Sequence, residues 1–252
     1  MRFTSEHRPD DLLVEREFTL DDFSGILWTP ASASAPAPLI LMGQPGGFDL
    51  QRMLPRLRAR ARSSAEHGLA AVAIEQPGAG GRSALPGAAE AREALGRTLR
   101  AGERPSTDLI DRLILPLVEQ AVPEWQRTLD GVLALPEIGD RAAFSGGVIA
   151  IGTRLAAIDP RIAAAGLFAG SYVPRATMAD ARRVSVPLHV LLQWDDEGND
   201  RQMALDLFDA FGSTEKTLYA NMGGHTGVPV FAGEDAARFF VRHLLRRREE
   251  AR

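Results

Sequence analysis

The sequence contains no cysteine, which excludes disulfides, thiol nucleophiles and cysteine-ligated metals. Lys216 is the only lysine, so Schiff-base or lysine-base chemistry has a single candidate. No apolar run approaches the roughly 18 residues of a membrane span, and the polar segment 1–11 has no apolar stretch of the kind found in secretory signals. The net charge of −4 offers no broad basic surface. We therefore expect a cytoplasmic protein with no nucleic-acid or membrane partner.

Short apolar runs alternate along the chain with helix-forming segments. The predicted strands are 13–20, 25–30, 39–42, 69–74, 141–144, 162–168, 188–192 and 217–220. Continuous apolar runs are typical of strands buried on both faces, and glycine-rich turns follow several of them. The pattern predicts an α/β fold, with a mostly parallel sheet of about eight strands and helices on both faces.

The length of the chain favours a single domain over residues 1–252. The weakly patterned residues 83–106 predict a small lid insertion, which could extend over the start of the following helix to about residue 123. A long helix is expected over 107–135, with a break or kink at Pro123, and a last helix over 234–248.

The stretch from Ala143 to Gly147 reads small-x-Ser-x-Gly and lies between a predicted strand and a predicted helix. Small residues around a serine allow a sharp turn that exposes the hydroxyl of Ser145. The first position is Ala143 rather than the usual glycine, so the motif is degenerate. Ser145 could also be an ordinary helix N-cap.

A serine nucleophile needs a base and an acid that orients the base. Of the five histidines, only His225 stands in a glycine-rich loop directly after a predicted strand. Upstream, the strand 188–192 is followed by three carboxylates, Asp195, Asp196 and Glu197, any of which could be the acid. The order serine, acid, histidine is that of α/β-hydrolases.

With these residues in place, the chain resembles the α/β-hydrolase superfamily, close to its dienelactone-hydrolase-like and serine-esterase branch. The resemblance covers about residues 13–245 and depends on six motifs in the family's order rather than on any one of them. They are Leu41 to Gly47, Glu75 to Gly80, Ala143 to Gly147, Asp159 to Ile162, Gln193 to Asp196, and Gly223 to His225.

The resemblance implies that Ser145 is the nucleophile, His225 the general base and Asp196, rather than Asp195, the acid. It also implies an oxyanion hole formed by the backbone N–H groups of Gly46 and Gly146. The possible lining of a substrate pocket is Gln44, Phe48 and Trp194. The family's usual histidine and glycine in the first loop are replaced here by Gln44 and Pro45, which suggests a specialised member.

The expected function is hydrolysis of an ester, lactone or thioester through an acyl-enzyme on Ser145. One alternative is a lyase or cyclase of secondary metabolism that uses the same three residues for elimination or cyclisation. A second alternative is a non-catalytic binding module on a hydrolase scaffold. We expect a small-molecule substrate, no cofactor, no metal, and a monomer or homodimer.

Overall fold

A computed structural model describes residues 1–245 of the chain. The strands are β1 (Arg2–His7), β2 (Leu13–Leu20), β3 (Phe23–Pro30), β4 (Ala37–Gly43), β5 (Ala70–Ile74), β6 (Ile138–Gly146), β7 (Ile162–Phe168), β8 (Leu188–Gln193) and β9 (Lys216–Asn221). The helices are α1 (Leu50–Glu66), α2 (Ala88–Arg100), α3 (Thr107–Val132), α4 (Ile149–Ile158), α5 (Arg175–Ala181), α6 (Arg201–Ala210) and α7 (Val230–Leu244).

The nine strands form one sheet in the order β1-β2-β3-β5-β4-β6-β7-β8-β9. The pairs from β1 to β5 are antiparallel, and the five pairs that link β5, β4, β6, β7, β8 and β9 are parallel. The predicted α/β fold with a mostly parallel sheet is therefore confirmed.

The prediction of about eight strands missed β1, which pairs with β2 at one edge of the sheet. Its side chains are exposed or half-buried, and its one apolar residue, Phe3, packs against Phe18 of β2. With a single apolar residue in six, the strand lacks the alternation of apolar and polar residues that predicts a strand.

Two separate hydrophobic clusters cover the two faces of the sheet, and consecutive residues of β6 contribute to opposite ones. Phe144 packs on Trp125 of α3, with ring centroids 6.1 Å apart. Ala143 belongs instead to the cluster of Leu57 in α1 and Phe240 in α7. Because side chains alternate along a strand, Ser145 points toward the face covered by α1 and α7.

Helix α3 runs unbroken through Pro116 and Pro123, so the break predicted at Pro123 is wrong. Its apolar stripe, which includes Trp125 and Leu129, is buried in the core. Packing of that stripe outweighs the missing proline N–H. The helix begins after Ser106, whose hydroxyl caps the N–H of Leu109.

The predicted last helix, 234–248, corresponds to α7 as far as Leu244, and residues 246–252 lie outside the described part of the chain. Within the described part, no helix combines the length and the apolar character needed to cross a membrane. A single domain and a lid over 83–123 stay predictions.

Candidate active site

The predicted site residues lie at the edge of the sheet where the parallel strands end. Ser145 is the penultimate residue of β6, Asp196 follows β8, and His225 follows β9. Gly46 follows β4. In parallel α/β sheets this edge is where ligands bind, because the loops after the strands converge there.

A hydrogen bond joins two of the predicted catalytic side chains, those of Asp196 and His225. Nδ1 of His225 lies 2.7 Å from Oδ2 of Asp196. The Asp196 side chain is 3% exposed, whereas that of His225 is 57% exposed. An ionised carboxylate can only accept, so Nδ1 carries the hydrogen and a neutral ring presents Nε2 as a proton acceptor. The pair thus has the arrangement of a base oriented by an acid.

Asp195 has a different place, although it is the neighbour of Asp196. Its Oδ1 accepts hydrogen bonds of 2.9 Å from the backbone N–H groups of both Gly223 and Gly224. These bonds, that of Gly224 first, hold the pKa of Asp195 below its ordinary value. On the other side of the loop, Nε2 of Gln193 donates to the Gly224 carbonyl at 2.8 Å. Asp195 therefore holds the backbone of residues 222–229, the histidine loop, while the imidazole contacts Asp196.

The histidine loop reaches back across the sheet. The His225 ring packs edge-on against the ring of Phe168, with centroids 5.7 Å apart. Phe168 is the last residue of β7, the strand directly beside β6. The imidazole thus lies against the strand next to the one that carries Ser145, and neighbouring strands are about 5 Å apart.

Ser145 is held by an arginine that sequence analysis did not select. Its Oγ accepts a hydrogen bond from Nη2 of Arg60 at 3.1 Å. Among residues 1–245, Oγ makes no hydrogen bond with His225, so the structure joins two of the three predicted catalytic side chains and leaves the serine apart. The role of Ser145 as a nucleophile stays a prediction.

The sharp turn after β6 is formed by glycines that follow the serine. Gly146 and Gly147 have φ of +76° and +68°, while Ser145 keeps the extended conformation of a strand. Left-handed backbone is unfavourable for residues with a Cβ, so the glycines adopt it. Gly147 is required for a second reason, since a Cβ there would lie 2.7 Å from the backbone of Gly43.

The two predicted oxyanion donors lie on adjacent segments. Gly146 pairs with Gly43 at the end of the β4–β6 ladder. Gly46, three residues beyond β4, lies beneath Leu117 of α3 and Val148. The middle of α3 therefore lies over the loop that carries Gly46.

The three predicted pocket residues have different environments. Gln44 is buried, donating from Nε2 to the Ile74 carbonyl at 2.8 Å, so it braces β4 against β5. Phe48 lies under the guanidinium of Arg52, and Trp194, 42% exposed, lies under that of Arg201. Within residues 1–245, no three histidine or acidic side chains converge as metal ligands would.

Two arginines near the site were not predicted. Arg60 lies in the arginine-rich α1, where nothing in the pattern separates it from its exposed neighbours. The side chain of Arg82, which follows the glycine-rich turn after β5, is 9% exposed and donates from both of its Nη atoms to the carboxylate of Glu124. Partners 42 residues apart leave no local signal in the sequence.

Comparison with solved structures gives the fold. A cold-adapted esterase from an Arctic intertidal metagenomic library is 24% identical with a TM-score of 0.75, over 97% of this chain and 100% of that one. A putative dienelactone hydrolase from Klebsiella pneumoniae is 15% identical with a TM-score of 0.65, over 93% and 99%. A dienelactone hydrolase from Anabaena variabilis is 15% identical with a TM-score of 0.56, over 91% and 99%.

No protein-family model matches the sequence, and neither does any curated protein. At these identities the structural likeness establishes that the chain has the α/β-hydrolase fold, while what the site does has to be argued from its own residues.

Proposed function

We propose that the protein hydrolyses a small ester, lactone or thioester, with the Asp196–His225 pair as its base. The main support is the 2.7 Å hydrogen bond that fixes Nδ1 of His225 to a buried carboxylate. Because Nδ1 is engaged in this bond, Nε2 is left as the proton acceptor, at the edge of the sheet where ligands bind in such folds. The esterase and dienelactone hydrolases of like fold lend further support.

In the proposed reaction, His225 Nε2 removes the hydroxyl proton of Ser145 as Oγ attacks the carbonyl carbon. The carbonyl π electrons move to oxygen, and the N–H groups of Gly46 and Gly146 stabilise that oxyanion. Collapse of the intermediate expels the alcohol or thiol, which takes the proton from His225. Water, deprotonated by the same imidazole, then releases the acid and restores Ser145.

The proton transfer requires Oγ and Nε2 to come within about 3 Å. Arg60 does not prevent it, because Nη2 donates to Oγ and leaves the hydroxyl hydrogen available. We propose that Oγ and Nε2 come into contact when substrate binds, through a change of the Ser145 rotamer or of the exposed histidine loop. Catalytic hydrogen bonds are often long without substrate and tighten when it binds.

The first test compares wild type, Ser145→Ala and His225→Ala in p-nitrophenyl ester turnover and in labelling by a fluorophosphonate. We expect each variant to lower kcat/KM by roughly 10⁴-fold or more, with the label on Ser145 in wild type. His67→Ala is the control, since His67 caps the end of α1 and contacts the Ser63 carbonyl. Full ester turnover by Ser145→Ala would contradict the acyl-enzyme.

One observation favours a second candidate, in which His225 acts on the substrate directly. The Ser145 hydroxyl is bonded to Arg60 rather than to His225. An oriented base without a bonded serine could remove a carbon-bound proton in an elimination or cyclisation. In that case Ser145→Ala would retain activity that His225→Ala loses. A wild type that turns over no ester and takes no label, yet binds a ligand, would favour the binding module.

A further inference from the structure

Arg60 links the two backbone segments on which the serine chemistry would depend. It extends from the third turn of α1 to the ends of β4 and β6. Nη1 donates to the Gly43 carbonyl at 3.2 Å, and Nη2 donates to the carbonyl and to Oγ of Ser145 at 2.9 and 3.1 Å. One guanidinium therefore sets the spacing between the first glycine loop and the serine.

The charge of Arg60 has no counter-ion among residues 1–245. Two other arginines of the same helix have one, since Arg58 pairs with Glu15 and Arg62 with Asp10. The pKa of Arg60 is shifted by two causes, the burial of its side chain and the like charge of Arg56. Burial, the larger cause, lowers the pKa of Arg60 to about 10, so the side chain is still a cation at neutral pH.

A half-buried cation without a carboxylate is in an unfavourable environment. Negative charge that appears beside it is stabilised strongly, since little water lies between them to screen the interaction. The nearest atom that could acquire such charge is Oγ of Ser145, at 3.1 Å. The donor of the Nη2–Oγ hydrogen bond is already a cation, and when the hydroxyl proton leaves, the acceptor gains negative charge, so the attraction between the two groups strengthens.

We propose that Arg60 is a positioning residue for Ser145, holding Oγ by a donated hydrogen bond and stabilising the charge that Oγ gains as its proton passes to His225. The inference rests on the proposed serine hydrolase function. The bond to Oγ strengthens only as the serine reacts, so Arg60 contributes to the transition state more than to substrate binding. Its loss should therefore lower kcat and leave KM nearly unchanged.

The test measures kcat, KM and the rate of fluorophosphonate labelling for wild type, Arg60→Met, Arg60→Lys and Arg62→Met. Methionine fills a similar volume without a donor, and we expect it to slow labelling and kcat by about 100-fold. Lysine restores a cationic donor and should return the rate to within about tenfold of wild type. Arg62 is an exposed residue of the same helix, and its variant should match wild type.

The outcomes separate this role from the proposed function and from a purely structural role. If wild-type Ser145 takes no label and no ester is turned over, both the serine function and the role of Arg60 fail. If wild type is reactive and Arg60→Met is within about twofold of it, the role of Arg60 alone is overturned. A slow Arg60→Met with the melting temperature of wild type, rescued by lysine, supports it. Equal losses in both Arg60 variants, with lowered melting temperatures, would overturn it in favour of simple packing.

Discussion

The serine half of the site is held by buried and half-buried groups that link neighbouring elements, whereas the histidine half is an exposed loop held by two neighbouring carboxylates. Around the serine, Gln44 ties β4 to β5, Glu75 accepts the N–H of Leu50 at the start of α1, and Arg60 joins β4 to β6. Around the histidine, Asp195 binds the loop backbone and Asp196 the imidazole.

Side chains near the serine and near the histidine also differ in how exposed they are. Met222, Val230 and Phe231, close to His225 in sequence, are all exposed apolar residues. Gln44 and Gln76, in the loops after β4 and β5, are buried. The groups around Ser145 link β4, β5, β6 and α1 to one another, whereas the side chain of His225 is 57% exposed. We therefore expect the histidine loop to adjust more readily than the segments around Ser145 when substrate binds.

The largest expected effect in this comparison is on Asp196. Asp196→Asn keeps the shape of the side chain but removes the charge that orients the imidazole, so we expect kcat to fall by roughly 10³- to 10⁴-fold. Asp195→Asn is the matched control, because its carboxylate contacts only backbone N–H groups of the loop. We expect a loss of about tenfold or less, from a loosened loop. Both are measured by ester turnover at neutral pH.

A reversed order, with Asp195→Asn the more damaging, would mean that the loop backbone matters more than the imidazole bond. Equal and small effects would indicate that His225 does not act as an oriented base.

The next effect concerns the stability of the buried half. An ion pair between Arg82 and Glu124 links the glycine-rich turn after β5 to α3. The two side chains are 9% and 2% exposed. Arg82→Met leaves the Glu124 carboxylate buried without its partner, and such losses cost about 3–5 kcal/mol of unfolding free energy. Urea unfolding followed by circular dichroism measures it. Arg97→Met, which breaks the exposed pair with Glu93, should cost at most about 1 kcal/mol.

If Arg82→Met and Arg97→Met lose similar stability, the buried pair is no stronger a link than a surface one. The double variant Arg82→Met with Glu124→Leu should recover much of the loss, since it removes the uncompensated charge.

The alternation of apolar runs and glycine turns predicted the parallel sheet, because strands buried on both faces are continuous in sequence. The same alternation predicted that Asp196 and His225 lie at one edge of the sheet, because each follows a parallel strand. It could not place the Ser145 hydroxyl, because the direction of that side chain depends on which residues take the left-handed turn. The glycines Gly146 and Gly147 take it, and the motif alone does not say so.

Arg60 and the Arg82–Glu124 pair were beyond prediction for a different reason. Each depends on a contact between segments far apart in the chain, and the residues around them have no distinctive pattern. Strand β1 was missed because Phe3 is its only apolar residue, so its sequence has no alternation of apolar and polar residues. Sequence patterns report burial, while bonds between distant polar groups require the folded arrangement.

The smallest expected effect is the response of the histidine loop to acid. The backbone N–H groups of Gly224 and Gly223 lower the pKa of Asp195 below its ordinary value of 3.8. For a carboxyl with a lowered pKa in the folded state, the stabilisation is complete above that ordinary value and is lost as the pH falls through the lower, folded value. Amide exchange protection of Gly223 and Gly224 should therefore drop as the pH falls below that ordinary value.

Wild type is compared with Asp195→Asn, in which the pH dependence at these two amides should disappear. The Leu41 amide, in the buried strand β4, reports on global unfolding and corrects for it. If loop protection follows that of Leu41 at every pH, Asp195 does not hold the loop independently. If loop protection is lost at a higher pH than that of Leu41, the exposed carboxylate of Asp195 holds the histidine loop in place. The serine half of the site then stays folded to lower pH than the histidine half.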